Sequence, residues 1–209
     1  ANFLSKLNFN KDYYQNIFTS GDAALNSLRS NFHGKNFFHL GPKRDMNLFF
    51  EFKEKRKDKI ESAEFILCTG LFDDQKNDLF YYKNLLKKYV NKKMVCTNPD
   101  LIVHRGEKKE YCAGSVAKVF EEINGKVIYY GKPYPEIYKE CIQDEKKVLV
   151  IGDNLNTDIK GANNMHYDAL FIKNGIHQDE FKNLTSDSFD KILSKYKVKI
   201  DYYQNHLLW

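Results

Sequence analysis

No stretch of the chain approaches the roughly 18–20 consecutive apolar residues that a membrane-crossing helix needs. The start, Ala1-Asn-Phe-Leu-Ser-Lys, lacks the basic-then-apolar pattern of a secretory signal. Both absences point to a soluble, cytoplasmic protein without a membrane partner. The four cysteines, Cys68, Cys96, Cys112 and Cys141, form no C-x-x-C pair, and no histidine stands at zinc-site spacing. A disulfide framework and a structural zinc are therefore not expected, and the thiols read as buried and free. The chain has no G-x-G-x-x-G and no G-x-x-x-x-G-K-[ST], which removes the phosphate-binding loops of a dinucleotide-binding oxidoreductase and of a P-loop NTPase. Positive charge is not concentrated either. The 33 Lys+Arg exceed the 28 Asp+Glu by only five, and the densest basic stretch, Lys53–Lys59, is broken by Glu54 and Asp58. Such a stretch reads as a solvated face, and nucleic acid is not an expected partner.

What is present is an alternation of apolar runs and amphipathic segments over 209 residues, long enough for one or two domains with a real core. Ile17-Phe18-Thr19, Phe37–Leu40, Phe65–Cys68, Met94–Cys96, Val127–Tyr130 and Val148–Ile151 read as strands. Helical stripes appear at Leu79, Tyr82, Leu86, Tyr89 and Val90, and at Val116, Val119, Phe120 and Ile123 before a stop at Gly125. Asp22 opens a helix after Ser20-Gly21, and Pro135 suits the first position of a helix running to about Gln143. This is an α/β pattern with a largely parallel sheet. The unbroken run Val148–Ile151 predicts a strand covered on both faces.

That strand ends in Gly152-Asp153-Asn154, and open α/β sheets bind ligands at the carboxyl ends of their strands. Five residues on, Asp158 enters the first turn of a helix, so both carboxylates can meet at one rim and hold a hard divalent cation. Equally, Asp153 reads as a turn residue and Asp158 as a helix-start acid favoured by the dipole. Lys132, held between Gly131 and Pro133 after the preceding strand, adds the fixed cation that phosphoryl transfer requires. A solvent-exposed lysine in a proline turn is the other reading.

The segments G-K-P-Y-P-E-I-Y (131–138) and V-L-V-I-G-D-N-L-N-T-D-I-K-G-A (148–162) resemble motifs III and IV of the haloacid dehalogenase (HAD) superfamily. T-S-G-D-A-A-L (19–25) and C-T-N-P-D-L (96–101) resemble its class IIA branch, which is similar to NagD and to the phosphoglycolate and pyridoxal phosphate phosphatases. The resemblance implies a Rossmann-like core, residues 1–35 and 127–209, with a large inserted α/β cap, residues 36–126. It implies a Mg²⁺-dependent phosphatase acting on a small phosphorylated metabolite. Lys132 would stabilise the nucleophile and transferred phosphoryl group, Asp153 would ligate Mg²⁺, and Asp158 and Asn154 would complete or orient the metal shell. Thr97, Asn98 and Asp100 would lie near the leaving group. Asn-Pro-Asp is also an ordinary turn former.

One departure carries chemical weight. Phosphatases of this family attack with the first Asp of a D-x-D and use the second as general acid and base, and these 209 residues contain no D-x-D. The family's motif I and the Ser/Thr of motif II would lie upstream of Ala1, so the chain is expected to lack an amino-terminal portion, its core to be incomplete there, and the polypeptide to be inactive alone. In the family sheet that strand lies in the middle, and its loss would expose apolar edges. The competing expectation is a remnant of the same fold that binds a ligand or partner without turnover.

Overall fold

A computed structural model describes residues 6, 10–105, 108–144, 147–182 and 186–208. The remaining positions of the expected first core segment, 1–5 and 7–9, lie outside the described residues.

The first helix, α1 (Ser20–Arg29), is capped by Thr19, whose side chain accepts from the Asp22 amide. Strands β1 (Phe37–Leu40), β2 (Arg56–Lys57) and β3 (Phe65–Cys68) follow, with 3-10 turns over Lys43–Lys55 between the first two. Next come α2 (Leu79–Leu86), β4 (Lys93–Cys96), the strands β5 (Ile102–Arg105) and β6 (Lys108–Tyr111), α3 (Ala113–Glu122) and β7 (Lys126–Tyr129). Five of these strands form one parallel sheet in the order β2-β1-β3-β4-β7, while β5 and β6 pair as an antiparallel hairpin. The inner strands β1, β3 and β4 are short, largely buried apolar runs, as a parallel sheet covered by helices requires, while β2 and β7 at its edges are only partly buried. Ile66, Cys68, Met94 and Cys96 meet Tyr82 and Leu86 of α2 and Val116 and Phe120 of α3. The alternate positions Phe65, Leu67 and Val95 face Ala23, Ala24 and Leu28 of α1.

The chain continues through α4 (Pro135–Cys141), β8 (Leu149–Gly152), a wide turn over Leu155–Ile159, α5 (Lys160–Asn164), β9 (Asp168–Ile172), α6 (Ser186–Tyr196) and β10 (Tyr202–Gln204). The last three strands form a second parallel sheet, ordered β10-β9-β8. Leu155, Ile159 and Ala162 pack with Ala169 and Phe171 against one face of it.

Several expectations change. Ile17-Phe18-Thr19 is not a strand: it finds no pairing neighbour among the described residues, and its two apolar side chains are exposed. Two elements assigned to the core join the five-stranded unit instead. β7 hydrogen-bonds to β4, so the sheet runs past the expected boundary at residue 126, and the small apolar stripe of α1 is matched to that sheet's face. The residue that turns the chain after α3 is Asn124, with φ 68°, and not Gly125. Among the described residues β8 is an edge strand of the three-stranded sheet and is covered on one face: Val150 turns toward the core while Leu149 and Ile151 remain 47% and 36% exposed. Cys68 and Cys96 are buried, but Cys112 is only partly so and Cys141 is exposed. No helix among the described residues is long and apolar enough to cross a membrane.

Candidate active site

The two sheets present their loops to a common cleft of about 340 Å³, lined by Lys132, Asp153, Asn154 and Asp158 from one side and by Asn98, Pro99 and Asp100 from the other. Six of the seven residues singled out in the sequence thus meet around one cavity. Thr97, the seventh, faces a neighbouring cavity and lends its hydroxyl to the Cys68 carbonyl at 3.3 Å.

Chain geometry explains the convergence. Tyr130 N–H donates to the Cys96 carbonyl at 2.8 Å, extending the β4–β7 pairing by one residue and bringing the loop after β7 beside the loop after β4. Gly131 then turns with φ +125°, a conformation L side chains rarely adopt, and a Cβ there would stand 2.7 Å from Pro99 Cδ. Glycine lets the two loops touch, which sets Lys132 across the cleft from the Asn-Pro-Asp turn. In that turn the Asp100 amide donates to Asn98 Oδ1 at 3.0 Å, and the Gly114 amide of α3 donates to the Asp100 carbonyl at 3.1 Å.

The acid side is built around Asp158, which is buried in the wide turn after β8. One of its oxygens lies 2.5 Å from Lys132 Nζ and the other accepts the Asn154 amide at 3.1 Å. Lys132 is half exposed, so its ammonium is anchored at one end and open to the cleft at the other. Asp153 Oδ2 accepts the Ile176 amide at 3.0 Å, and no partner for its other oxygen is found among the described residues. Asn154 Oδ1 accepts the Asn156 amide and so already closes its own turn.

The Ile176 amide and Gly175 were not foreseen. A Cβ on Gly175 would stand 2.2 Å from Asp153 Cβ, so glycine allows the loop after β9 to close over that carboxylate. The available signal was Asn174-Gly175 directly after the apolar run of β9, a turn at the end of the neighbouring strand. The same loop is fastened to α6 by Glu180, which accepts from Tyr196 Oη at 2.7 Å, lies 2.9 Å from Lys195 Nζ and pairs with His177 Nδ1 at 2.8 Å. Those hydrogen bonds, Tyr196 and His177 foremost, hold the Glu180 carboxyl down to about 2.

As a donor set for a metal the cleft offers hard oxygens only, and Mg²⁺ is commonly held by one or two carboxylates together with water and substrate phosphate. Asp153 and Asp158 supply two such carboxylates, and among the described residues no group of three or more His, Cys, Asp or Glu is placed to hold a metal.

Residues 129–198 match the HAD-hydrolase-like family. A dihydroxyacetone phosphatase of Corynebacterium glutamicum is 27% identical over 92 residues, which is 42% of this chain and 34% of that protein. The match thus spans about a third of the curated relative's length. A haloacid dehalogenase-like hydrolase from Brucella suis superposes with a TM-score of 0.75 at 25% identity, over 98% of this chain and 77% of the other. A p-nitrophenyl phosphatase from Archaeoglobus fulgidus shares the fold at TM-score 0.62 and 18% identity, over 90% and 69%. So does a glycerol phosphate phosphatase from Mycobacterium tuberculosis solved with magnesium, at TM-score 0.62 and 19% identity, over 90% and 55%. The matched segment, residues 129–198, includes Lys132, Asp153 and Asp158, and over that segment and in its fold the chain is similar to haloacid dehalogenase-like hydrolases.

Proposed function

We propose that this chain supplies the phosphate, metal and leaving-group sites of a cytoplasmic Mg²⁺-dependent phosphatase of small phosphorylated metabolites. The five-stranded unit serves as cap and the three-stranded unit as core. The observation that carries the reading is the Lys132–Asp158 pair, which fixes a half-exposed ammonium at the mouth of a cleft lined by two strand-end carboxylates. Relatives named for phosphatase activity on dihydroxyacetone, p-nitrophenyl and glycerol phosphate esters support the same reaction class.

In this mechanism Lys132 Nζ neutralises charge that accumulates on the equatorial phosphoryl oxygens, while Asp158 holds the ammonium in place. Asp153 would hold Mg²⁺ through its unengaged oxygen, with Asp158 and Asn154 orienting the shell around it. When bound, the metal supplies Lewis-acid stabilisation of phosphoryl charge. Asn98 and Asp100 contact the leaving group from the cap side. The covalent step has no nucleophile here, because the 209 residues carry no D-x-D, and the polypeptide by itself is proposed to be inactive. The competing reading is a binding protein of this fold without turnover.

The test is a fusion that adds an amino-terminal strand bearing D-x-D to the 209 residues, assayed for Mg²⁺-dependent hydrolysis of an aryl phosphate. Turnover is expected in the fusion and not in the 209-residue chain. Lys132→Ala should lower kcat more than it raises KM. A folded fusion that binds Mg²⁺ yet hydrolyses no phosphomonoester overturns the phosphatase reading in favour of the binding protein. Turnover by the 209 residues alone, abolished by Asp153→Asn, overturns the inactivity.

A further inference from the structure

The loop that follows β9 meets Asp153 at two points. The Ile176 amide donates to Asp153 Oδ2 at 3.0 Å, and a Cβ on Gly175 would stand 2.2 Å from both Cβ and Oδ2 of the same residue. One carboxylate oxygen is thereby held against the loop, while the other, which has no partner among the described residues, stays on the wall of the cleft. Ile176, the residue that supplies the amide, is 68% exposed and contributes little packing of its own.

The anchor of the loop is the next residue. From Lys173 to Glu180 His177 is the one buried position. Its Nδ1 lies 2.8 Å from Glu180 Oε1, and because a carboxylate only accepts, Nδ1 carries the hydrogen of that contact. Its ring stands edge-on to Tyr196 with centroids 4.9 Å apart. Glu180 is tied in turn to Tyr196 Oη and Lys195 Nζ of α6. Between ring and amide the chain is a closed turn, with the Gln178 amide on the Gly175 carbonyl at 3.0 Å and the Glu180 amide on the His177 carbonyl at 2.9 Å. His177 Nε2 is buried with no partner among the described residues. An apolar ring would fill the same space without stranding a nitrogen, so packing alone does not account for a histidine here.

We propose that His177 is a positioning residue of the candidate metal site: locked by Glu180 and Tyr196, it holds the Ile176 amide on Asp153 Oδ2 and so keeps the other Asp153 oxygen available to a divalent cation. The proposal rests on the reading of Asp153 as a metal ligand. His177 touches neither cation nor substrate and acts through the backbone of its neighbour. A ligand whose outer contacts are loose must be ordered at the moment of binding, which weakens the site.

The test uses the 209-residue chain at neutral pH, with Mg²⁺ alone as the probe and ¹⁵N–¹H spectra as the readout. His177→Phe keeps an aromatic ring against Tyr196 and removes the donor to Glu180, whereas His177→Asn removes the ring and keeps a side-chain N–H donor. In His177→Phe the Ile176 amide should exchange with solvent about tenfold faster, as local opening becomes easier. Mg²⁺ affinity should fall about three- to tenfold, at or below the lower end of the range for outer contacts of a metal ligand. His177→Asn should recover most of both losses. Tyr196→Phe leaves His177 in place, removes one hydrogen bond to Glu180 and should shift both readouts the same way by a smaller factor; it decides the matter if His177→Phe does not fold. A lowered urea midpoint with Ile176 exchange and Mg²⁺ affinity as in the parent makes His177 a packing residue and overturns the proposal. Equal losses in His177→Phe and His177→Asn, or no Mg²⁺ binding by the parent, also overturn it. The two readings fail separately. Turnover by the D-x-D fusion with Mg²⁺ affinity indifferent to His177 leaves only the phosphatase standing. Mg²⁺ binding that depends on His177, without turnover in the fusion, leaves only the positioned metal site.

Discussion

Lys132 Nζ stands 2.5 Å from Asp158 Oδ1, tying the loop after β7 to the turn after β8 across 26 positions of sequence. Removing the ammonium leaves a buried carboxylate with the Asn154 amide as its remaining partner among the described residues. Lys132→Met should therefore cost about 1–2 kcal/mol, the lower range because the lysine is half exposed. Urea unfolding at neutral pH measures it, and an unchanged midpoint would show that the pair adds no net stability.

The close approach of Gly175 to Asp153 predicts a local failure. In Gly175→Ala the new methyl must displace either the loop or the carboxylate, since its Cβ would stand 2.2 Å from both Asp153 Cβ and Oδ2. A loss of about 1–3 kcal/mol is expected from such overpacking. Mg²⁺ affinity, expected to be weak in the parent with two carboxylates, should fall several-fold further in a calorimetric titration. A micromolar Mg²⁺ dissociation constant in the parent would reveal ligands beyond Asp153 and Asp158.

Two groups predict the acid side of the stability profile. Glu180 is held at about 2 against an ordinary value of 4.5, so the unfolded chain binds the proton more readily between those values. Its contribution is complete above about pH 4.5 and is lost as the pH falls toward 2. His33 is lowered from 6.5 to about 4 by burial, with the Lys93 charge adding to it. It is buried neutral against Tyr130 Oη at 2.9 Å. Its share is present above pH 6.5 and is lost as the pH falls toward 4. Glu180→Gln should flatten the first window and His33→Phe the second in stability measured against pH. A His33→Phe profile that keeps its slope between pH 6.5 and 4 would assign that slope to another group.

Leu149 and Ile151 stand exposed on the edge strand of the second sheet, and an open edge with apolar side chains favours association between chains. Leu149→Lys should reduce concentration-dependent self-association in sedimentation without altering the far-ultraviolet spectrum. Association unchanged by the substitution would place the contact elsewhere.

Much of the candidate site was readable before folding because its parts are local. Gly-Lys-Pro and Gly-Asp-Asn-x-x-Thr-Asp each lie within one strand-to-helix turn, and turn chemistry depends on neighbours in the chain. The alternation of apolar runs and helical stripes likewise determined the α/β class, because side-chain period follows from backbone geometry. Partnership between elements was decided only in three dimensions. Nothing local in Val148–Ile151 distinguishes a central strand from an edge strand, since that depends on which strands flank it. The short stripe of α1 does not say which sheet it will cover. The Ile176 amide reaches Asp153 across 23 positions, and Glu180 joins His177 to Lys195 and Tyr196 only when the loop after β9 meets α6. Pairings between residues far apart in the chain follow from the packing of whole faces, a property that no single segment carries.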